Sequence, residues 1–247
     1  MKKSLFLIVL AFNAAQLFSQ QSDGSAEDRN FRIPLIGEIA PTFTAESTNG
    51  TITFPDDFGR SWKILFSHPQ DFTPVCSSEI VELARLQDQF DKLGVKIAVI
   101  STDRLDTHNQ WKKSLESLDL DNKGKVTIKF PIIADANVEI SKEYGMIHKE
   151  SNSTRSVRGV FIIDPNNVIQ SIYFYPTNVG RNTDELIRMV QALQVTASNK
   201  VLTPVNWHAG NDVLVPYPPD GTKQVSEQPG TDGMYAASWY MLYKKVK

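Results

Sequence analysis

Apolar and polar positions follow two periods from about residue 31 onward, one typical of strands and one typical of helices. Strand-like apolar runs occupy residues 63–67 (KILFS), 95–101 (VKIAVIS) and 130–134 (FPIIA). Helical patterns fill the intervals, at about residues 77–92, 107–118 and 138–144. Strands that alternate with helices predict βαβ units and a largely parallel sheet.

The last part of this pattern predicts a hairpin and a helix. Residues 159–164 (GVFIID) and 168–175 (VIQSIYFY) are separated by the turn sequence Pro165-Asn166-Asn167, which favours antiparallel pairing. An amphipathic helix follows at about residues 183–195. We therefore predict an α/β fold, a thioredoxin-like sandwich whose central mixed sheet has helices on both faces.

The two ends of the chain have a different character from its middle. Repeated prolines after about Thr203 favour a C-terminal extension at residues 201–247, beyond a domain at residues 31–200. At the N-terminus, Lys2 and Lys3 precede an apolar stretch from Leu5 to Phe18. This predicts a signal peptide at residues 1–20 and a secreted, secretory-pathway or periplasmic protein, although a buried first helix is the alternative. An unprocessed leader would instead leave the protein in the cytoplasm.

Length and charge exclude several classes of function. About 14 apolar residues are too few to cross a hydrocarbon core of about 30 Å, so no membrane span is expected. The net charge of -2, with acidic and basic residues interspersed, gives no basic face for nucleic acid. The four histidines form no metal-ligand cluster in sequence, so neither a metal nor a cofactor is implied. Asn49 and Asn152 begin N-x-[ST] patterns, which matter only in a eukaryotic secretory route.

The single cysteine, Cys76, cannot form an internal disulfide, so it is inert, reactive or an intermolecular partner. It lies where a strand gives way to a helix, and the free N–H groups of a helix start favour a thiolate. Composition alone favours a small buried residue. However, Pro69, Thr73 and Pro74 surround it with a rigid turn and a hydroxyl group, which indicates a binding loop.

These residues carry a specific resemblance. Pro69, Thr73 and Cys76 match the P-x-x-x-T-x-x-C signature of peroxiredoxins, and HPQDFTPVCSSE at residues 68–79 closely resembles the one-cysteine branch. The resemblance continues through residues 158–165 (RGVFIIDP), 175–185 (YPTNVGRNTDE) and 203–207 (TPVNW). It covers nearly the whole chain after the leader.

The resemblance implies a thiol-dependent peroxidase in antioxidant defence. Cys76 would attack the terminal oxygen of hydrogen peroxide or an organic hydroperoxide and become a sulfenic acid. By the same resemblance, Thr73 would bond to the substrate oxygen, and Pro69 would shield the sulfenic acid. Arg158 would stabilise the thiolate and the transition state, which agrees with the fixed donors of a guanidinium. An arbitrary arginine at this place would more often be a solvent-exposed charge.

Three further residues are candidates for the pocket or its support, each with an alternative. Glu79 would hold an arginine, or is an acid favoured in a first helical turn. Arg181 would orient Glu79 or Arg158, or cap the last helix. His68 would line the pocket or bond to a backbone carbonyl, since a lone histidine is more often structural than catalytic.

The resemblance also implies partners. A chain with no second cysteine needs an external thiol, either glutathione or a thioredoxin-like protein, to reduce the sulfenic acid. A homodimer is implied, in which the extension packs on the partner through aromatic residues that could equally complete the monomer's core: Trp207, Tyr217, Tyr235, Trp239, Tyr240 and Tyr243. The alternative function is a secreted redox-sensing or chaperone-like protein on the same fold, whereas a disulfide reductase would need a C-x-x-C pair.

Overall fold

A computed structural model describes residues 32–152, 154–216 and 233–246. The predicted leader and Tyr217 lie outside these ranges. Within them, no helix combines the length and the apolar character needed to cross a membrane.

The described chain is organised around a seven-stranded mixed sheet with the strand order β2-β1-β5-β4-β3-β6-β7. Its strands are β1 (Phe43–Ser47), β2 (Gly50–Phe54), β3 (Trp62–Ser67), β4 (Val95–Ser101), β5 (Ile132–Ala134), β6 (Arg158–Ile163) and β7 (Ile169–Tyr175). The strands β3, β4 and β5 are parallel, whereas β6 and β7 form the predicted antiparallel hairpin. The predicted mixed sheet is therefore confirmed, and the β1–β2 hairpin is an addition to it.

The helices are α1 (Pro74–Lys92), α2 (Leu105–Ser117), α3 (Glu139–Glu143) and α4 (Thr183–Asn199). One buried cluster joins α1, α2 and α4 to the sheet, and a second cluster, which includes Ile140 of α3, lies against other sheet residues. Alternate residues of β3 enter the two clusters, with Ile64 and Phe66 in the first and Leu65 in the second. This is the strand periodicity expected of a sheet buried on both faces.

Helix α1 begins at Pro74, three residues before the predicted start. Proline is tolerated in the first helical turn because its nitrogen needs no hydrogen-bond partner there. Thr73 is the residue that precedes the helix, and its backbone is extended. Cys76 is consequently the third residue of α1.

The C-terminal extension forms a small antiparallel sheet of β8 (Val213–Leu214), β9 (Met234–Ser238) and β10 (Met241–Lys244), in the order β8-β10-β9. Trp207 is buried and packs in a cluster with Ala192 and Val213. By contrast, Trp239 and Tyr240 are exposed. The extension thus anchors one aromatic residue against α4 and presents two others to solvent.

Candidate active site

Cys76 lies at a cavity of about 400 Å³ between the first turn of α1 and the loop before β6. The sulfur-bearing residue is itself only 1% exposed. The first helical hydrogen bond runs from the Ser77 N–H to the Thr73 carbonyl, so the N–H groups of Val75 and Cys76 precede it. N–H groups in the first turn of a helix favour negative charge in their vicinity.

Arg158 is the buried first residue of β6, and its guanidinium faces the sulfur. Its Nη1 lies 3.3 Å from the Cys76 Sγ. Its Nε and Nη2 both donate to the Thr177 carbonyl oxygen, at 3.2 and 2.6 Å. The guanidinium is therefore held from behind by the backbone after β7, and its remaining edge points at Cys76.

Glu79 lies one helical turn after Cys76, and its carboxylate accepts hydrogen bonds from two arginines. Its Oε2 is 2.6 Å from Arg158 Nη1 and 2.7 Å from Arg181 Nη2. Burial by itself would raise the pKa of Glu79, but the hydrogen bonds and positive charges of Arg181 and Arg158 outweigh it and hold the pKa below its usual range. Glu79 thus remains a carboxylate that supports Arg158.

Arg181 fixes this carboxylate to the sheet. Its Nε donates to Glu79 Oε1, and its Nη1 donates to the carbonyl oxygens of Ser67 and Gly159 at 2.7 and 2.9 Å. Burial lowers the pKa of Arg181, although Glu79 opposes the shift. The helix cap of α4 is Asn182 and not Arg181, because the Asn182 side chain accepts the first N–H groups. The structure therefore brings Glu79, Arg158 and Arg181 together beside Cys76.

Thr73 and Pro69 both line the cavity. The Thr73 hydroxyl donates its proton to the Gln70 carbonyl oxygen at 2.9 Å. Since a hydroxyl has one proton and two lone pairs, the Thr73 oxygen remains able to accept a hydrogen bond from a ligand O–H. Thr73 thus offers a hydrogen-bond acceptor at the wall of this cavity.

His68 does not line the cavity, and its ring does not bond to a backbone carbonyl, so both expected roles differ from the structure. The ring is fully buried, and its Nε2 lies 2.7 Å from Asp71 Oδ1. The other oxygen of Asp71 lies 2.7 Å from Nδ1 of His108, a residue of α2. His68 therefore belongs to a buried network behind the loop of residues 69–73.

The hydrogen bonds of this network determine where its protons lie. His108 lies between two acceptors, because its Nε2 faces the Ile133 carbonyl oxygen and its Nδ1 faces the Asp71 carboxylate. Burial lowers the pKa of His68, and Asp71 only partly opposes this shift. His68 is thus neutral and donates from Nε2, while its Nδ1 has no hydrogen-bond partner among the described residues.

The network also corrects the expectation that the histidines have no ligand cluster. One ligand atom from each of His68, Asp71 and Asp103 lies within 4.8 Å of the others. However, Asp103 Oδ2 already accepts from the Asp71 N–H and the Ser101 hydroxyl. Hydrogen bonds thus account for the proximity of these groups. The sequence gives no local signal for this network, because Asp71 and His108 lie 37 positions apart.

Two family models match the chain. The model of the AhpC/TSA family matches residues 36–172, and the model of the C-terminal domain of 1-Cys peroxiredoxin matches residues 192–231. A peroxiredoxin of Methanosarcina mazei is 43% identical over 217 residues, which cover 86% of this chain and 98% of the relative. A mitochondrial peroxiredoxin of Saccharomyces cerevisiae is 40% identical over 188 residues, which cover 73% of this chain and 70% of the relative.

Two solved structures are similar in fold. A cysteine-to-serine mutant of peroxiredoxin 6 from Arenicola marina has a TM-score of 0.73 and 33% identity, over 86% of this chain and 98% of that one. The yeast mitochondrial 1-Cys peroxiredoxin, studied for thiol resolution via glutathione and thioredoxin systems, has a TM-score of 0.74 and 36% identity. That match covers 87% of this chain and all of the other.

Proposed function

This chain belongs to the AhpC/TSA family, in its one-cysteine peroxiredoxin branch, and we propose that Cys76 is the residue through which it reduces hydroperoxides. The protein is a thiol-dependent peroxidase of the thioredoxin-like fold. The observation that carries the assignment to Cys76 is the 3.3 Å contact between its sulfur and Arg158 at the edge of a cavity.

The first step forms one bond and breaks another. The Cys76 thiolate attacks the terminal oxygen of ROOH, the O–O bond breaks, and the sulfur retains that oxygen as a sulfenic acid. The departing RO⁻ takes a proton and leaves as ROH, which is water when the substrate is hydrogen peroxide. The Arg158 guanidinium stabilises the negative charge as it moves from sulfur to the departing oxygen, while Thr73 accepts from the substrate O–H.

The second stage requires two equivalents of an external thiol. The first thiol condenses with the sulfenic acid, forming a mixed disulfide with Cys76 and releasing water. The second thiol attacks this disulfide, which restores Cys76 and releases the oxidised reductant. We propose glutathione or a thioredoxin-like protein as the donor, supported by the absence of another cysteine in the sequence and by the systems studied with the yeast protein.

We further propose a homodimer in which the extension, residues 201–247, contacts the partner subunit. The exposed rings of Trp239 and Tyr240, 73% and 55% accessible, support this proposal because aromatic side chains are common interface anchors. The end of α4 at Asn199 supports the boundary with the domain at residues 31–200. Sedimentation of the intact chain and of a Trp239→Ser variant tests the proposed dimer. A wild-type protein that is monomeric at micromolar concentration would contradict the proposal.

Export remains a proposal from the sequence, because residues 1–20 lie outside the described ranges. The two lysines before an apolar stretch support it. N-terminal sequencing of the protein from its native host is the test. An intact Met1 would contradict a cleaved leader and leave the cytoplasmic alternative.

The assignment of Cys76 is tested by peroxide consumption with dithiothreitol as the reductant. We expect Cys76→Ser to abolish turnover and to remove sulfenic acid trapping by dimedone. The matched control is Ser78→Ala, an exposed position on the same helical turn, which should keep both signals. Equal turnover by wild type and Cys76→Ser would overturn the assignment and favour the redox-sensing or chaperone-like alternative.

A further inference from the structure

The cavity at Cys76 is much larger than its smallest substrate requires. Its volume of about 400 Å³ compares with about 30 Å³ for a water molecule in the liquid, so hydrogen peroxide would fill only a small part of it. A volume of this size falls within the range of small-molecule binding pockets. The remaining space therefore favours a larger ligand.

The lining of this cavity is positively charged. It contains two arginines, Arg155 and Arg158, and none of the lining residues is an aspartate or a glutamate. Glu79 neutralises Arg158 through a hydrogen bond with its Nη1. Arg155 has no such counterion, because its guanidinium makes no hydrogen bond or ion pair with any other described residue.

The backbone of Arg155 is nevertheless fixed. Asn152 Oδ1 accepts hydrogen bonds from the Thr154 N–H and from the Arg155 N–H, at 2.9 and 3.1 Å. This turn places a half-buried arginine on the wall of the cavity, with its charged group unpaired among the described residues. An unpaired guanidinium in a partly desolvated site is a recognition group for a planar anion.

We propose that Arg155 is a specificity-determining residue that binds the carboxylate of a small ligand whose reactive end reaches Cys76. This inference rests on the proposed peroxidase chemistry of Cys76. The apolar parts of Pro69, Pro74 and Val75 line the same cavity and would contact the carbon chain between the two ends. Two ligands of the reaction have this chemistry: a hydroperoxide with a carboxylate group, and a thiol reductant with one.

Matched ligand pairs distinguish these two sources. The hydroperoxide pair is 13-hydroperoxyoctadecadienoic acid and its methyl ester, and the thiol pair is 3-mercaptopropionate and its methyl ester. For each pair, the ratio of rate constants for acid and ester measures the preference for a carboxylate. Stopped-flow kinetics of wild type, Arg155→Gln, Arg155→Lys and the control Arg104→Gln give these ratios, since Arg104 is an exposed arginine outside the cavity at Cys76.

We expect Arg155→Gln to lower the acid-to-ester ratio about 10- to 100-fold for one pair, as for the loss of a charged hydrogen bond. Arg155→Lys should lower it less, and Arg104→Gln should not lower it. A drop confined to the hydroperoxide pair identifies the substrate as the source, and a drop confined to the thiol pair identifies the reductant. Drops in both pairs would show that both bind there.

Unchanged ratios in Arg155→Gln, or equal losses for acid and ester, would overturn the inference. Hydrogen peroxide provides the separate check on the underlying chemistry. If wild type reduces it through Cys76 while the ratios do not change, only the role of Arg155 fails. If Cys76→Ser retains full turnover, the proposed function itself fails.

Discussion

Cys76 and Glu79 lie three positions apart on α1, and a single nitrogen, Nη1 of Arg158, contacts both of them. Residues at this spacing project from the same side of a helix, so one arginine from the sheet can reach both side chains. The helix thus presents both a nucleophile and the counterion of the group that activates it. The contact between Arg158 and Cys76 therefore depends on the packing of α1 against β6.

Replacing Arg158 tests the electrostatic part of this arrangement. Arg158→Lys keeps the charge but cannot donate to Thr177, Glu79 and Cys76 together. We expect the rate constant for sulfenic acid formation, measured by single-turnover stopped flow, to fall about 100-fold. Arg188→Lys on α4 is the control and should remain close to wild type. A rate within twofold of wild type in Arg158→Lys would contradict the role of the guanidinium.

Replacing Glu79 tests the support of that arginine. Glu79→Gln has the same shape but leaves two buried guanidinium groups without their carboxylate. We expect the free energy of unfolding, from the urea midpoint, to fall by about 3–5 kcal/mol, together with peroxidase activity. Glu82→Gln on the same helix removes a partly exposed pair with Arg85 and should cost less than about 1 kcal/mol. Equal losses in the two variants would contradict this account.

The buried network predicts a dependence of stability on pH. Because the folded-state pKa of His68 lies below its ordinary value of 6.5, the unfolded chain binds a proton at pH values where the folded chain does not. The contribution of His68 is therefore complete above pH 6.5, and the free energy of unfolding decreases as the pH falls from 6.5 toward the folded-state pKa.

The histidine variants isolate this effect. His68→Gln keeps an N–H donor for Asp71 but cannot titrate, so its free energy of unfolding should vary less between pH 7 and pH 5. The control, His208→Gln, alters an exposed ring and should retain the wild-type slope. Urea unfolding across this range is the measurement, and parallel slopes for wild type and His68→Gln would refute the prediction.

Thr73 provides a test of substrate orientation. Thr73→Val removes the oxygen that is placed to accept from a hydroperoxide, whereas Thr73→Ser retains it. We expect kcat/KM for hydrogen peroxide to fall about tenfold in Thr73→Val and to fall much less in Thr73→Ser. An equal loss in the serine variant, which keeps the oxygen, would contradict the role assigned to that oxygen.

Much of the fold followed from periodicity, because the central strands are almost wholly apolar and the helices between them are amphipathic. The β1–β2 hairpin escaped prediction because its residues are mostly threonine and other polar or small residues near the edge of the sheet. The predicted helix starts three residues later than α1 because the sequence pattern places Pro74 in a rigid turn, whereas it occupies the first helical turn.

The contacts of the candidate site are also of two kinds, those that a local sequence pattern predicts and those that it does not. Pro69, Thr73 and Cys76 lie within eight residues and form a recognisable local motif. Other contacts join positions that are distant in sequence. Asp71 pairs with His108, and Arg158 donates two hydrogen bonds to the Thr177 carbonyl oxygen. Only the packing of β6, β7 and α2 around the loop brings them together, so local patterns carry no signal for them.

The turn made by Asn152 has a consequence for the cell. Asn152 is the acceptor position of an N-x-[ST] pattern, and the residue also lines the cavity at Cys76. An oligosaccharide attached to this amide would stand where hydroperoxides and thiols must enter. Glycosylation of this asparagine would therefore be incompatible with access to Cys76.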